Sequence, residues 1–174
     1  MIDETLLVRD VWMYVDFHGH SRMKNLFMFG CTNAFMKQDV LKERIFPLLM
    51  HKACPHFDFD YCKFDVQQDK ETTARVVVRQ EYNQLNSFTM ECSVSGPTRG
   101  KLAGFHFNIP TLLEMGAHFC QALFDFASDK GKINKAIAEL KEMYPSIDHV
   151  LHEDDPTKSK NRARASSTGR NGLQ

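Results

Sequence analysis

The sequence predicts an α/β fold of layered helices and strands. Residues 11–17 (VWMYVDF) are apolar on both faces of an extended chain, which is typical of an inner strand covered on both sides. Residues 109–127 (IPTLLEMGAHFCQALFDFA) have a proline near their start and repeat apolar residues on one face, which predicts a helix. Because strand and helix patterns are interspersed, we expect an α/β/α arrangement of helices around a sheet.

Four further segments between these two carry the remaining elements of the sheet and its helices. Residues 26–30 (LFMFG) resemble a second strand, and residues 87–94 (SFTMECSV) predict a short strand that ends in a glycine-rich loop. Residues 40–54 have helical periodicity, with Pro47 as a kink or a late start. Residues 74–82 (ARVVVRQEY) fit either a strand or a helix. We expect the strands 11–17 and 87–91 to be neighbouring inner strands.

The end of the chain differs in character from the rest. Residues 132–144 place apolar side chains at helical spacing, as an amphipathic surface helix would. Residues 153–174 contain almost nothing to bury and have a basic bias, so they are expected to form a disordered tail. The expected organisation is therefore one domain's worth of chain over residues 1–152 followed by that tail.

Composition excludes several classes of protein. Lys plus Arg equals Asp plus Glu at 22 each, so net charge indicates neither a nucleic acid nor an anionic membrane as partner. No apolar stretch approaches the roughly 20 residues of a membrane span, and the acidic start lacks the features of a signal peptide. The five cysteines are scattered and form no C-x-x-C pair, which suits a reducing compartment. We expect a cytoplasmic protein.

Two histidines stand where the first strand ends. His18 follows Asp16 on one strand face, Gly19 permits a close turn, and His20 comes two residues later. Side chains at i and i+2 point the same way, so the pair could ligate a metal. The alternative is a histidine that is hydrogen-bonded at a turn and binds nothing.

A carboxylate lies near the end of the strand 87–94. Ser87, Thr89 and Glu91 share one face of that strand. A buried carboxylate is costly unless it is used or paired. Glu91 could therefore be the base that accepts a proton from a metal-bound water, or it could pair with a nearby Arg or Lys.

Three segments carry a family resemblance. Residues 16–31 (DFHGHSRMKNLFMFGC), 62–93 (CKFDVQQDKETTARVVVRQEYNQLNSFTMECS) and 104–126 (GFHFNIPTLLEMGAHFCQALFDF) resemble blocks of the cytosolic carboxypeptidases, a branch of the zinc metallocarboxypeptidases. The resemblance runs in order from about residue 12 to about residue 126. It implies the C-terminal part of a three-layer α/β/α catalytic domain with a mixed sheet, incomplete at its N-terminal side.

The resemblance also implies a zinc-dependent protease, a hydrolase that removes C-terminal or side-chain glutamates from proteins. Tubulin is the expected substrate, in the cytoplasm and near microtubules or cilia, with no nucleic-acid or membrane partner. By position, His18 matches a zinc ligand and Glu91 the catalytic glutamate. Arg75 matches the basic residue of a pocket for an acidic side chain, and His20 and Ser21 would shape the site without ligating the metal.

Arg75 has a chemical rationale apart from the family. A guanidinium presents a planar fork of donors that can hold a carboxylate through two hydrogen bonds. The alternative is that Arg75 is solvated, like Arg79 four positions later.

Two features depart from the family pattern. Thr72 stands where the family usually has glycine, and neither Tyr61 nor Tyr82 is a secure counterpart of the tyrosine that related enzymes bring over the substrate. The upstream H-x-x-E zinc ligands and an Asn-Arg pair are also missing; His152 is followed at the corresponding spacing by Asp155.

A catalytic zinc needs three protein ligands, so we expect the chain alone to bind zinc weakly, to be inactive, and to be poorly soluble or partly folded. One alternative is an inactive remnant that binds acidic protein tails through Arg75 and basic residues of the tail, namely Lys158, Lys160, Arg162 and Arg164. A weaker one is an amidohydrolase that uses His18 and His20 together.

Overall fold

The computed structural model describes residues 2–33 and 40–145, and these contain a three-stranded mixed sheet. Its strands are β1 (Tyr14–His20), β2 (Leu26–Phe29) and β3 (Ser87–Ser93). The order in the sheet is β1-β3-β2, with β1 parallel and β2 antiparallel to β3. The predicted pairing of the first strand with residues 87–91 is confirmed.

Five α-helices accompany the sheet in the described residues. They are α1 (Ile2–Leu6), α2 (Lys42–Ala53), α3 (Ala74–Glu81), α4 (Ile109–Ser128) and α5 (Lys130–Met143). Two short 3₁₀ turns, Phe59–Tyr61 and Gln68–Lys70, lie between α2 and α3. The segment that fitted either a strand or a helix is therefore helical, and the helix that contains Pro47 begins before that proline.

Helices cover both faces of the sheet, as an α/β/α arrangement requires. One face packs against α2 and α4, where Phe46 of α2 contacts the rings of Phe88 and Phe119. The other face carries α3, which receives a hydrogen bond from the Ser87 hydroxyl on the carbonyl of Arg75, 2.7 Å long. Alternate residues of β3 thus face different layers.

A second apolar cluster joins α2 to α5. Leu48 and Leu49 of α2 meet Ala136 and Leu140 of α5, and all four side chains are buried. The amphipathic helix predicted near residues 132–144 is thereby confirmed, with its apolar face directed at α2. None of the described helices is long and apolar enough to cross a membrane.

The prediction that residues 11–17 are an inner strand covered on both sides is wrong for the part of the chain that the structure describes. The strand begins at Tyr14 and lies at the sheet edge, while β3 is central and almost wholly buried. The apolar pattern misled because Trp12 stacks on Phe126 and Phe17 meets Phe119 edge-on, so aromatic residues of α4 pack against this segment, yet Trp12 and Phe17 remain 47% and 62% exposed. The tail of residues 153–174 lies outside the described residues.

Candidate functional site

His18 and Glu91 lie side by side on adjacent strands. They are direct partners in the parallel register of β1 and β3, so their backbones are separated by one strand spacing of about 4.8 Å. Partners in register point to the same face, which is the face carrying α3. The structure thus brings together the two residues that the sequence assigned to metal binding and to proton transfer; those roles themselves stay predictions.

The imidazole of His18 is oriented by a carboxylate on its own strand. Asp16 lies two residues earlier on the same face, and its Oδ2 is 2.9 Å from Nε2 of His18. This contact favours the tautomer with the proton on Nε2, and it leaves Nδ1 as the ring nitrogen available to a metal. Histidines that bind metals commonly donate their other ring N–H to a carboxylate in this way.

Glu91 is buried without a partner for one of its oxygens. The residue is 8% exposed, and its Oε2 has no hydrogen bond within the described residues. Glu91 also forms no ion pair within the described residues. The alternative, in which Glu91 pairs with a nearby Arg or Lys, is therefore wrong for this part of the chain. Burying an unpaired carboxylate oxygen costs free energy. An unpaired oxygen is therefore what is expected of a group whose partner is a water or a substrate atom.

His20 has a structural role in the described chain. Its Nδ1 accepts hydrogen bonds from the backbone N–H groups of Arg22, at 3.2 Å, and Met23, at 2.9 Å. The ring also meets Phe27 edge-on, with centroids 5.2 Å apart. With one ring nitrogen used to hold the turn after β1, the arrangement favours a shaping role over a paired H-x-H metal site. Ser21 follows in that turn and is exposed.

Arg75 lies in the first turn of α3, against the same sheet face as Glu91. It is only 7% exposed, so the alternative of a solvated arginine is wrong. Its guanidinium lies 5.5 Å from the ring of Phe29, and it donates to the Gly30 carbonyl and the Thr73 hydroxyl at 3.4 and 3.3 Å. These partners are neutral, and no carboxylate pairs with Arg75 in the described residues. A buried cation with only neutral partners is suited to bind an anion.

The two tyrosines that the sequence left unplaced are now distinguishable. Tyr61 packs edge-on against Phe27, with ring centroids 6.3 Å apart, and Phe27 is the register partner of Glu91. The hydroxyl of Tyr82 instead donates to Asp3 at the surface. Tyr61 is therefore the tyrosine on the side of the candidate site. Its position depends on a 3₁₀ turn that no periodicity in the sequence indicates.

Asp16 is the site residue that sequence reasoning noticed but did not assign. The signal was its i, i+2 spacing from His18, which places both side chains on one strand face.

The described residues do not complete a zinc site. Within residues 2–33 and 40–145, no group of three His, Cys, Asp or Glu side chains is placed to hold a metal ion. A catalytic zinc requires three protein ligands and one open position. His18, with Nδ1 available, fits one of these places, and the described chain supplies no set of three.

Comparisons with known proteins give a consistent likeness. The chain is 41% identical over 160 residues to cytosolic carboxypeptidase 3 of Bos taurus, covering 89% of this chain and 16% of that protein. It is 45% identical over 156 residues to cytosolic carboxypeptidase 2 of Homo sapiens, covering 88% of this chain and 17% of that one. The chain thus spans about a sixth of the length of these curated relatives. No family model matches the chain.

The fold is also found in a solved structure. A metallo-carboxypeptidase from Burkholderia cenocepacia superposes with a TM-score of 0.56 at 19% sequence identity, covering 70% of this chain and 31% of that protein. At this identity the likeness concerns the fold. The sheet and helices described above are therefore part of a metallocarboxypeptidase-like fold.

Proposed function

Over most of its length this chain is a homologue of the cytosolic carboxypeptidases, and on that premise we propose that it forms part of a zinc carboxypeptidase site. The reaction is the removal of glutamates from the C-termini or polyglutamate side chains of cytoplasmic proteins such as tubulin, near microtubules or cilia. His18 would hold the zinc through Nδ1, and protein groups outside the described residues would supply the other ligands. In such a site zinc lowers the pKa of a water and polarises the scissile carbonyl.

Glu91 is the proposed general base. Its Oε2 is buried and unpartnered beside His18, which is where a carboxylate could accept a proton from water and return it to the leaving amine. The observation that carries the proposal is this juxtaposition of an unpaired buried carboxylate with a histidine already oriented by Asp16. A general base needs hydrogen-bond reach and a free lone pair, and Glu91 offers both.

The test uses a polypeptide that joins this chain to the part of a cytosolic carboxypeptidase catalytic domain outside the region that this chain matches. Glutamate release should fall by a factor of about 10² to 10⁴ in Glu91→Gln, while zinc measured by elemental analysis stays bound. Glu114→Gln is the matched control, because Glu114 is an exposed glutamate on α4. Turnover that persists in Glu91→Gln would remove the general-base role.

Arg75 is the proposed determinant of glutamate specificity. The buried guanidinium has only neutral partners in the described structure, so it can pair with the substrate carboxylate without breaking an existing ion pair. Arg75→Leu in the joined enzyme should reduce kcat/KM for a C-terminal glutamate by about 2–5 kcal/mol of transition-state stabilisation, and much less for a neutral residue.

The comparison of the two substrates separates specificity from folding. Arg79→Leu is the control, since Arg79 lies one helical turn later in α3 and donates to the Asn33 side chain. If Arg75→Leu lowers cleavage of both substrates equally, Arg75 supports the fold and the assignment fails.

A second candidate function is recognition of acidic protein tails without catalysis. Two observations favour it: the described residues contain no three-ligand group, and the buried Arg75 has no carboxylate partner there. Binding of a polyglutamate peptide to the chain alone, weakened by Arg75→Leu and unaffected by Glu91→Gln, would support this reading. Glutamate release by the joined enzyme would favour catalysis instead.

A further inference from the structure

Asn25 is a buried asparagine in the turn between β1 and β2. It is 3% exposed, and its φ of 68° lies in the left-handed region, which asparagine adopts more readily than most other non-glycine residues. Buried polar side chains almost always have hydrogen-bond partners, and those partners show what the side chain holds in place. Asn25 is not among the residues of the candidate site, so its partners identify a separate role.

The side chain of Asn25 joins two other segments of the chain. Its Nδ2 donates to Oδ2 of Asp58 at 3.1 Å and to the hydroxyl of Thr98 at 3.0 Å, and its Oδ1 accepts from the backbone N–H of Thr98 at 2.8 Å. A carboxylate only accepts and a backbone N–H only donates, so these partners determine the orientation of the amide. We call Asn25, Asp58 and Thr98 the Asn25 hub.

Asp58 connects the hub to Tyr61. Asp58 is buried, its Oδ1 accepts from the backbone N–H of Asp60 at 3.2 Å, and its carbonyl accepts from the N–H of Tyr61 at 3.3 Å. Asp58 therefore caps the first 3₁₀ turn, which carries Tyr61. The ring of Tyr61 packs edge-on against Phe27, and Phe27 is the register partner of Glu91. The hub thus reaches Glu91 through two aromatic rings.

The backbone of Asn25 reaches Glu91 by a second route. Its carbonyl accepts from the N–H of Ser93 at 3.1 Å, and its N–H donates to the carbonyl of Gly96 at 3.1 Å. These bonds extend the antiparallel pairing of β2 with β3, in which Phe27 lies opposite Glu91. Because β2 has four residues, few other bonds determine its register. A slip of one residue would turn the side chains of β2 to the other face of the sheet.

We propose that Asn25 is a positioning residue for Glu91: the hub determines the register of β2 against β3 and the place of Tyr61, and it thereby holds the Glu91 carboxylate beside His18. The inference rests on the proposed function, in which Glu91 is the general base. His18 is held separately, by the pairing of β1 with β3 and by its contact with Asp16. Loss of the hub should therefore impair proton transfer and leave zinc binding intact.

The experiment uses the joined enzyme and two substitutions of Asn25. Asn25→Asp retains the shape of the side chain but places a second carboxylate against Asp58, where the amide donates. Two buried carboxylates in contact repel each other. Asn25→Gly removes the side chain, permits the left-handed backbone and adds no charge, so it tests the hub even if Asn25→Asp does not fold.

A third variant restores the hub with its groups exchanged. In Asn25→Asp combined with Asp58→Asn, the amide at position 58 can donate to the carboxylate at position 25, and that carboxylate can still accept from the N–H of Thr98. Asp58→Asn also removes an ion pair with Arg99, but the side chain of Arg99 is 72% exposed, so that loss should have a small effect. Asp58→Asn alone completes the cycle of single and double variants.

We expect a selective loss of turnover. In Asn25→Asp and Asn25→Gly, kcat for glutamate release should fall by about 10-fold to 10²-fold, because a displacement of about 1 Å at a reacting group can cost this much. KM and the zinc content should stay within about twofold of the wild type, since neither substrate binding nor His18 depends on the hub. The exchanged double variant should recover kcat to within about threefold of the wild type.

Asn83→Asp is the matched control. Asn83 also has a positive φ, of 49°, but it is exposed, and its Oδ1 accepts a hydrogen bond from Arg79 that a carboxylate can accept as well. Its kcat should equal that of the wild type. The proposal is wrong if both Asn25 variants keep the wild-type kcat, if Asn83→Asp loses as much, if the exchanged variant recovers nothing, or if zinc is lost together with turnover.

Hydrogen exchange tests the hub without relying on turnover. In Asn25→Gly the backbone amides of residues 59–62 and 91–98 should exchange at least about tenfold faster than in the wild type, while the amides of β1 keep their protection. If the joined enzyme releases no glutamate, the catalytic proposal fails, and exchange alone decides whether the hub holds the strand that carries Glu91. Unchanged exchange in Asn25→Gly would overturn the hub in an active or an inactive enzyme.

Discussion

Four charged side chains are buried in the described residues, and they differ in whether an oppositely charged side chain lies beside them. They are Glu43, Asp58, Arg75 and Glu91. Glu43 lies 3.3 Å from the guanidinium of Arg44, and Asp58 lies 3.0 Å from that of Arg99. Arg75 and Glu91 have no oppositely charged partner in the described part of the chain. Because buried charge is costly when unpaired, Arg75 and Glu91 are the buried charges to which the proposed function assigns a partner from substrate or water.

Glu43 gives a prediction about stability and pH. Burial raises the pKa of its carboxyl more than the hydrogen bonds from the backbone and Asn33 and the nearby Arg44 lower it. A carboxyl whose folded pKa exceeds its unfolded value stabilises the fold while it is protonated, and this contribution is lost as pH rises through the folded pKa. We therefore expect Glu43→Gln to reduce the loss of unfolding free energy between about pH 4 and pH 7.

Urea denaturation of the wild type and the variant across that pH range measures this effect. The exposed Glu142→Gln serves as the control. A wild-type stability that rises with pH in a Glu43-dependent way would contradict the assignment.

At the scale of elements, the ends of α4 are specified locally. The side chain of Asn108 accepts hydrogen bonds from the backbone N–H and the hydroxyl of Thr111, at 3.0 and 2.7 Å. Pro110 lies in the first turn, where its missing N–H costs nothing. The capping asparagine and the proline can both be recognised in the sequence. The start of this helix could therefore be predicted.

Loss of this cap should have a measurable cost. Asn108→Ala removes the acceptor for the free N–H of Thr111 and should lower the unfolding free energy by about 1 kcal/mol. Asn108→Asp retains an acceptor and should cost much less. Chemical denaturation followed by circular dichroism compares the variants, and an equal loss in both would show that the cap contributes little to α4.

The sequence did not determine whether the segment that forms α3 is a strand or a helix. Its run of three valines suits a strand, and β-branched residues lower helix propensity only slightly, so a short apolar segment fits both structures. The tertiary contacts of Val76 and Val78, both buried, decide it. The position of Arg75 depends on that choice, because only a helix over the sheet brings its guanidinium onto Phe29. The burial of Arg75 could therefore not be predicted before the fold was known.

At the scale of the whole molecule, the family and the layers were predictable, whereas the place of β1 in the sheet was not. An apolar run specifies that a strand has contacts on both faces but not whether another strand pairs with each of its edges. That His18 and Glu91 lie close together could be predicted from their strand positions and the family blocks, whereas their roles stay predictions. The Asp16 contact needed only the i, i+2 spacing.

The metal capacity of the chain gives a whole-molecule prediction. With His18 as the one proposed zinc ligand and no group of three ligands in the described residues, the isolated 174-residue chain should retain well under one equivalent of zinc at submicromolar free metal. Equilibrium dialysis followed by elemental analysis measures it, with His18→Ala as the comparison. Stoichiometric zinc together with glutamate release would show that further ligands within the chain complete the site.

The parallel pairing of β1 with β3 has a consequence for how the molecule folds. His18 and Glu91 become neighbours only when two strands far apart in sequence meet, with α2 and α3 between them. Such non-local pairing is slow, because the entropy of closing the intervening chain is lost before the contacts stabilise it. The two groups of the candidate site thus come together only through this non-local pairing. A nascent chain that has formed only its helices would hold neither the histidine nor the glutamate in place.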